Sequence, residues 1–214
     1  GTFMLMEGSD IPFVIQLLGL RGYVATRYSP IEKDWLDHTI FKTKLYDIQS
    51  VEMEIPGDPE NSYKIINKND EIELYQLSTN QKMPGFDTLK VLNYLTSFAD
   101  LKYETFLDEI NPRRQDSIVN SVPAHIITLV DNNGDTTAIK TFLKPNDEDV
   151  VDIDGNFMIS DVDRLYALIN DEQDFVLIQY FVFDKILRPL SFFRPEEFRS
   201  FLFKQDQHQF VSVL

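Results

Sequence analysis

Short apolar segments alternate with polar turn residues along the chain, and one such pattern occurs near both ends. The apolar segments 3–6 and 13–18 flank one polar turn, and segments 165–169 and 175–181 flank another. A shift of 163 positions superposes three pairs of identical residues: Leu5 and Leu168, Ile15 and Ile178, Gln16 and Gln179. The repeat of an apolar hairpin pattern predicts two related αβ units, and the given sequence is expected to begin inside the first of them.

A proline-containing string follows each hairpin. Tyr28–Glu32 and Phe193–Glu197 share the pattern aromatic-x-Pro-x-Glu at a shift of 165. Ser29 and Glu32 form a capping-box pattern, and proline suits the first helical position. We therefore expect a short helix here that turns Trp35 and Leu36 inward, and a final helix over residues 195–203.

Strand and hairpin signals dominate the middle of the chain. Residues 48–55 alternate apolar and polar side chains at period two, which predicts a strand with one solvated face. Apolar segments 63–65 and 72–74 continue a meander through a polar turn. Residues 125–142 contain two apolar segments around Asn133-Gly134, which is a strong signal for a β-hairpin.

Helix signals are fewer. Asp87 precedes a segment with apolar residues at helical spacing, so we expect a helix that Asp87 caps. Asn111-Pro112 predicts a shorter helix that ends before Pro123. The predicted fold class is therefore α+β: antiparallel sheets built from β-hairpins and meanders, with short packing helices. We place the boundary between the two predicted units in a polar stretch, giving residues 1–110 and 111–214.

Composition restricts the possible partners. The chain has 20 basic and 35 acidic side chains, a formal net charge of −15, and no cysteine. Nucleic-acid binding needs clustered basic residues, so the charge argues against it. The longest apolar stretch is far shorter than the roughly 20 residues of a membrane-spanning helix, so we expect no membrane contact by this chain itself. Gly1 is typical of a residue left by tag removal, so a targeting segment is expected to have been removed.

The acidic stretch 146–163 is the sharpest candidate for a metal site. Aligning Gly155 with the glycine of a calcium loop places Asp152 and Asp154 at ligand positions and Asp161 at the last one. The first ligand position falls on Val150, which has no ligating atom. A solvated turn is the alternative to a calcium site, and we expect no other cofactor.

No catalytic motif is present, and we assign no catalytic residue. The sequence has no nucleophile elbow, no glycine-rich loop before a helix and no HExxH string. His125 lies in an apolar strand and fits an interior or edge histidine better than a base. A pair of carboxylates in a cleft between the units would be compatible with a glycan-binding or glycan-hydrolysing domain, which is the alternative function.

The C-terminal region combines aromatic and basic residues. Between residues 184 and 204 five basic side chains face three acidic ones, although the whole chain is acidic. Arginine and aromatic residues are frequent anchors of protein interfaces. The candidate partner-binding residues are Arg188, Arg194, Phe198, Arg199 and Phe203. The alternative is that the phenylalanines fill the core and the arginines cover it.

Five strings spread along the chain carry a family resemblance: Phe3–Ser9, Trp35–Phe41, Phe86–Leu89, Asp161–Leu168 and Phe175–Arg188. They resemble an uncharacterised bacterial envelope family, domain of unknown function 4340, in its Bacteroidetes form, and the resemblance spans nearly the whole chain. The resemblance implies a longer parent protein with an N-terminal membrane anchor and an extracytoplasmic, periplasmic body. It also implies a link to transport-associated components, and it supplies no catalytic or ligand residues.

The expected function is therefore a non-catalytic interaction or scaffold domain of a membrane-anchored bacterial envelope protein. Its expected partner is another protein of the cell envelope. A calcium-stabilised structural module and a small-molecule or glycan binder with a carboxylate cleft remain the alternatives.

Overall fold

A computed structural model describes residues 2–19, 23–24, 28, 35–68, 71–108, 110–146 and 150–195. Its internal contacts divide the chain into two compact units, Gly1–Asp37 and His38–Leu214. This division differs from the boundary expected at residues 110 and 111. Strands from both sides of residue 110 pair within one sheet of the second unit, so contacts cross the expected boundary.

The first unit contains a small antiparallel hairpin. Strands β1 (Thr2–Met4) and β2 (Phe13–Ile15) pair with Thr2 opposite Ile15. Several of the hairpin's large apolar side chains are exposed. Trp35 and Leu36 are also exposed, so the expectation that they turn inward is wrong. The helix expected from the capping box lies outside the described residues.

The second unit is built on antiparallel strands. Their bounds are β3 (Thr39–Phe41), β4 (Ile48–Glu54), β5 (Tyr63–Lys68), β6 (Glu71–Gln76), β7 (Gln81–Lys82), β8 (Leu101–Lys102), β9 (Thr105–Phe106), β10 (His125–Asp131), β11 (Thr136–Pro145), β12 (Ser160–Ile169) and β13 (Asp174–Gln179). The α-helices of the described residues are α1 (Thr88–Thr96), α2 (Pro112–Val119) and α3 (Tyr180–Phe183). Short 3₁₀ turns include Leu45–Asp47 and Leu190–Phe193.

Within the described residues, nine of these strands form one sheet in the order β7-β6-β5-β4-β10-β11-β12-β13-β9. It consists of two meanders, β4–β7 and β10–β13, which are joined where β4 pairs with β10, and of β9, which pairs with β13 at the edge. Strands β3 and β8 pair separately. The mostly antiparallel sheet with a few short helices is consistent with the predicted α+β class, and also with a mainly β class.

Both faces of the sheet are covered where the second meander lies. Because side chains alternate along a strand, Leu165, Ala167 and Ile169 of β12 enter the main core, which also contains residues of α1 and the turn Leu190–Phe193. Tyr166 and Leu168 point to the other face and pack with half-buried residues of α2. The second meander is therefore enclosed on two sides.

The structure confirms several elements that local sequence signals predicted. The Asp87 carboxylate accepts a hydrogen bond from the Lys90 N–H at 3.1 Å and caps α1. The Asn111 side chain accepts from the Arg113 N–H at 2.9 Å and caps α2. The predicted turn between β10 and β11 places Gly134 at φ +89°, a conformation that glycine adopts without a Cβ penalty. The helix expected over residues 195–203 lies almost wholly outside the described residues.

Candidate interaction surfaces

The arm is defined as residues 150–163, which are the described end of the connection between β11 and β12 together with the first residues of β12. The pairing of β10 with β11 ends at His125 and Thr141, and the pairing of β13 with β12 ends at Gln179 and Arg164. Beyond these positions β11 and β12 continue without those neighbours. Val151 faces Phe157 in an antiparallel bridge, and the Met158 N–H donates to the Val150 carbonyl at 2.7 Å. The arm is thus an ordered extension of the hairpin.

A carboxylate organises the tip of the arm. Asp152 Oδ1 accepts hydrogen bonds from the N–H groups of Asp154 and Asn156, both at 2.9 Å. The bonds from Asn156 are the main cause that lowers the pKa of Asp152. Gly155 has φ +83°, which the tight turn requires and which most side chains disfavour. The sequence therefore folds this tip around the Asp152 side chain.

A second carboxylate fixes the base of the arm. Asp161 accepts from the N–H groups of Asp163 and Arg164 and from Lys144 Nζ at 3.1 Å. Partial burial opposes its ionisation, but these hydrogen bonds and the positive charge of Lys144 outweigh burial and lower the pKa. Asn146 adds hydrogen bonds to the carbonyls of Met158 and Ser160. The base of the arm is held by polar side chains.

The rest of the arm presents apolar side chains to solvent. Ile153 is 102% exposed, Ile159 85% and Phe157 72%. Val151 and Phe157 are directly opposite each other and Ile159 is two positions further, so these three project from one face. The other exposed apolar residues of the arm are Val150 and Val162. Contiguous exposed apolar surface rimmed by polar groups is typical of an interaction site.

The predicted calcium ligands lie on this arm, but the structure does not bring them into one cluster. Asp152 is at the tip and Asp161 at the base, and each already accepts backbone N–H groups. Asp154 is exposed beside the tip. Among the described residues, no three histidine or acidic side chains are grouped to hold a metal ion. The calcium hypothesis remains a prediction.

Part of the predicted C-terminal surface is described. The guanidinium carbon of Arg188 lies 5.3 Å from the centre of the Phe192 ring, and Lys90 Nζ lies 5.6 Å from it. We call these three residues the cationic patch. Arg188 also pairs with Asp184 at 2.9 Å, and Leu89 beside Lys90 is exposed. Lys90 pairs with Asp87 at 3.9 Å and its side chain keeps 21% of its exposure, so each cation at the ring has a carboxylate partner.

The other predicted partner-binding residues divide into two groups. Arg194 is half-buried directly after the turn Leu190–Phe193. Phe198, Arg199 and Phe203 lie outside the described residues. Phe193 and Phe183 are fully buried, so part of the aromatic region fills the core, as the alternative reading of this region expected. Phe181 is 79% exposed and belongs to the surface.

Described residues of the second unit line at least two clefts. The larger, about 450 Å³, has apolar walls from Leu45, Ile72 and Leu92 and amide groups from Asn67 and Asn132. Both amides are engaged: Asn67 donates to the carbonyls of Leu45 and Ile48, and Asn132 donates to that of Tyr46. The described residues that line this cleft include no carboxylate. A smaller cleft of about 270 Å³ includes Glu54.

His125 lies on β10 as expected for an interior or edge histidine. Its Nδ1 is 3.0 Å from the Thr141 hydroxyl, and burial lowers its pKa. The neutral form is therefore favoured in the folded protein.

Sequence reasoning missed two features of these surfaces. It considered only the carboxylates of residues 146–163 as a possible metal site. The apolar residues interspersed among them were the available signal for an exposed apolar face. It also missed Lys90, because α1 lies far from Arg188 in sequence and only the fold brings both to Phe192.

Comparisons with known proteins give no further guidance. No helix in the described ranges has the length and apolar character needed to cross a bilayer. The chain matches no family model, no curated protein and no solved structure.

Proposed function

We propose that this chain is a non-catalytic interaction domain that binds another protein through the arm. The observation that carries the proposal is the apolar face of Val151, Phe157 and Ile159 on an ordered, solvent-exposed hairpin. Burying such side chains in a complex contributes about 25 cal/mol per Å² of apolar surface. Preorganisation by Asp152 and Asp161 reduces the ordering cost on binding.

The charge of the arm defines the kind of partner. Its carboxylates are Asp152, Asp154, Asp161 and Asp163, and residues 150–163 contain no lysine or arginine. Complementary charge favours a partner surface that combines basic and apolar side chains. A predominantly acidic surface would be repelled.

The location of the domain is part of the proposal. We place it on the extracytoplasmic, periplasmic side of a bacterial envelope, tethered through its parent protein and associated with transport components. The support for this location is the resemblance to domain of unknown function 4340.

We also propose that the hairpins β1–β2 and β12–β13 are copies of one building block. Pairing of Thr2 with Ile15 and of Met4 with Phe13 corresponds, at the shift of 163, to pairing of Leu165 with Ile178 and of Ala167 with Val176. The shift comes from sequence identities alone, so the agreement in register supports the duplication independently. The match at shift 165 falls largely on residues outside the described ranges.

The arm is tested by site-specific photo-crosslinking. A photoreactive amino acid replaces Ile153 in cells that make the protein naturally, and Val122, another exposed apolar residue outside the arm, is the matched control position. We expect a discrete protein adduct at position 153 and none at 122. Adding Phe157→Ser should reduce the adduct at least about tenfold, as expected for loss of an aromatic anchor.

Two outcomes contradict the proposal. Equal adducts at both positions would show non-specific contact, and absence of an adduct at 153 would show that the arm has no partner. Circular dichroism of Phe157→Ser should match the unmodified protein, because the exposed ring packs against no core.

A further inference from the structure

We propose that the larger cleft of the second unit binds a neutral sugar. Its volume of about 450 Å³ lies in the range of small-molecule sites, roughly 300–1,000 Å³. The cleft contains no residue of the arm, so this site goes beyond the proposed function and does not depend on it. It also differs from the carboxylate cleft expected between the two predicted units, because its described lining residues all belong to the second unit and include no carboxylate.

Two amide side chains give the cleft hydrogen-bond acceptors of fixed orientation. Asn67 Nδ2 donates to the carbonyls of Leu45 and Ile48 at 3.1 and 3.0 Å. Asn132 Nδ2 donates to the carbonyl of Tyr46 at 2.7 Å. Because a reversed amide would place oxygen against oxygen, these bonds hold each Oδ1 atom away from the carbonyls. Within the described part of the chain neither Oδ1 atom accepts a hydrogen bond, so the cleft favours a ligand that carries donors.

The one charged side chain among the described lining residues determines which kind of donor fits. Lys68 lines the cleft, and no carboxylate pairs with it in the part of the chain that the structure describes. An ammonium ligand would therefore meet a like charge. A ligand carboxylate has no proton to donate to the amide oxygens of Asn67 and Asn132. A hydroxyl group donates to an amide oxygen and accepts from Lys68, so the fitting ligand is uncharged and rich in hydroxyls.

An exposed aromatic ring beside apolar walls matches the C–H face of a sugar ring. Tyr46 is 83% exposed, although the turn Leu45–Asp47 that carries it is held by the Asn132 N–H, which donates to the Asp47 carbonyl at 2.8 Å. The backbone of Tyr46 is thus fixed while its ring stays open to solvent. The face of an aromatic ring is negative and attracts C–H groups. A pyranose carries hydroxyls around its rim and C–H groups on its faces, so it fits both kinds of surface at once.

Titration of the whole chain, followed by nuclear magnetic resonance, tests the site. The sugars are glucose, galactose, mannose, N-acetylglucosamine and maltose, and cyclohexanol is the matched ring with a single hydroxyl. We expect at least one sugar to shift the resonances of Leu92 and of the Asn67 and Asn132 amides, with a Kd of about 1–10 mM. Cyclohexanol should leave them unshifted at the same concentration. Glucosamine should bind no more tightly than its neutral counterpart N-acetylglucosamine, because its ammonium group meets Lys68.

A pair of aromatic variants tests the ring. Tyr46→Ala removes an exposed side chain, so its melting midpoint should equal that of the unmodified chain. Phe181→Ala is the matched control, because Phe181 is 79% exposed in the second unit and does not line the cleft. We expect Tyr46→Ala to weaken sugar binding at least about fivefold and Phe181→Ala to leave it unchanged.

Four outcomes would overturn the inference. Absence of any shift up to about 100 mM of each sugar would remove the site. Equal binding of cyclohexanol would show a cleft that selects only apolar rings, and tighter binding of glucosamine would show a different ligand class. Unweakened binding by Tyr46→Ala would remove the stacking ring on which the choice of a sugar rests. The crosslink at position 153 remains the separate test of the arm, so either proposal can fail while the other stands.

Discussion

The hairpins β1–β2 and β12–β13 share one register but have different surroundings. In β12–β13, Leu165 and Ile178 face each other and are fully buried. In β1–β2, the corresponding Thr2 is buried and Ile15 is half-buried. On the opposite face, Phe3 is 66% exposed where the equivalent Tyr166 is 4% exposed. The comparison shows that the apolar pattern sets the register, while the neighbouring strands and helices set how much surface is buried.

The two hairpins also end differently. β12 and β13 pair up to Ile169 and Asp174. The next equivalent pair in the first hairpin would be Leu5 and Pro12, and proline has no N–H to donate to the ladder. The first hairpin therefore stops earlier and closes with a longer loop.

The largest expected difference lies in matched isoleucines. Ile178→Ala removes a fully buried side chain and should reduce the free energy of unfolding by about 2–5 kcal/mol. Ile15→Ala, at the equivalent position, should change the main unfolding transition by less than about 1 kcal/mol, because Ile15 is only half-buried. Urea denaturation of both variants measures their free energies of unfolding. Similar losses in the two variants would contradict the idea that the two hairpins differ in burial.

The enclosed core of the second unit also buries tyrosine hydroxyls, for which the exposed hairpin β1–β2 has no counterpart. The hydroxyls of Tyr63 and Tyr94 are buried and, among the described residues, have no hydrogen-bond partner. Burial raises the pKa of both, and for Tyr63 the neighbouring Tyr94 adds to the rise. Above pH 10 the tyrosine hydroxyls of the unfolded chain release their protons, whereas those of the folded chain retain them. The contribution of the two tyrosines to the free energy of unfolding is therefore fully present below pH 10 and decreases as the pH rises.

Alkaline unfolding tests this account. At pH 11 each buried tyrosine should cost about 1 kcal/mol of stability, and replacing both by phenylalanine should remove that loss. Tyr28→Phe, at an exposed tyrosine of the first unit, is the matched control and should leave the alkaline loss unchanged. An unchanged pH dependence in the double variant would contradict the prediction.

A smaller effect is expected at the turn of the enclosed hairpin. Asn170, Asp171 and Glu172 all have positive φ, between +50° and +66°, which costs energy for residues with a Cβ. Asp171→Gly should therefore stabilise the second unit by about 0.5–1 kcal/mol. Glu172→Gly should gain less, because it also loses the ion pair with Lys140. Thermal melting distinguishes the two, and a lower midpoint for Asp171→Gly would contradict the account.

The smallest effect is expected for calcium at the exposed arm. Asp152 and Asp161 already use their carboxylates to accept backbone N–H groups. We expect melting midpoints with calcium and with a chelator to agree within about 1 °C, since binding at useful concentrations raises stability by mass action. A clear rise with calcium, abolished by Asp154→Asn, would instead favour the calcium-stabilised module.

Local elements were predictable because their signals are local. Asp87 and Asn111 each cap a helix through their own side chains, and Gly134 fixes a turn of its own hairpin. The pairing of β4 with β10 was not predictable, because alternation identifies a strand and leaves its partner open when about 70 residues intervene. The cationic patch was missed for the same reason, since it depends on how α1 packs beside Phe192.

The pairing of β4 with β10 has a consequence for truncation. A cut at residue 110 would leave β10 without β4 and would strip β9 from β13. Each fragment would then expose a long, apolar strand edge with unsatisfied backbone groups, which is a template for aggregation. Fragments that keep residues 38–195 together retain both joints of the sheet and are the ones we expect to stay in solution.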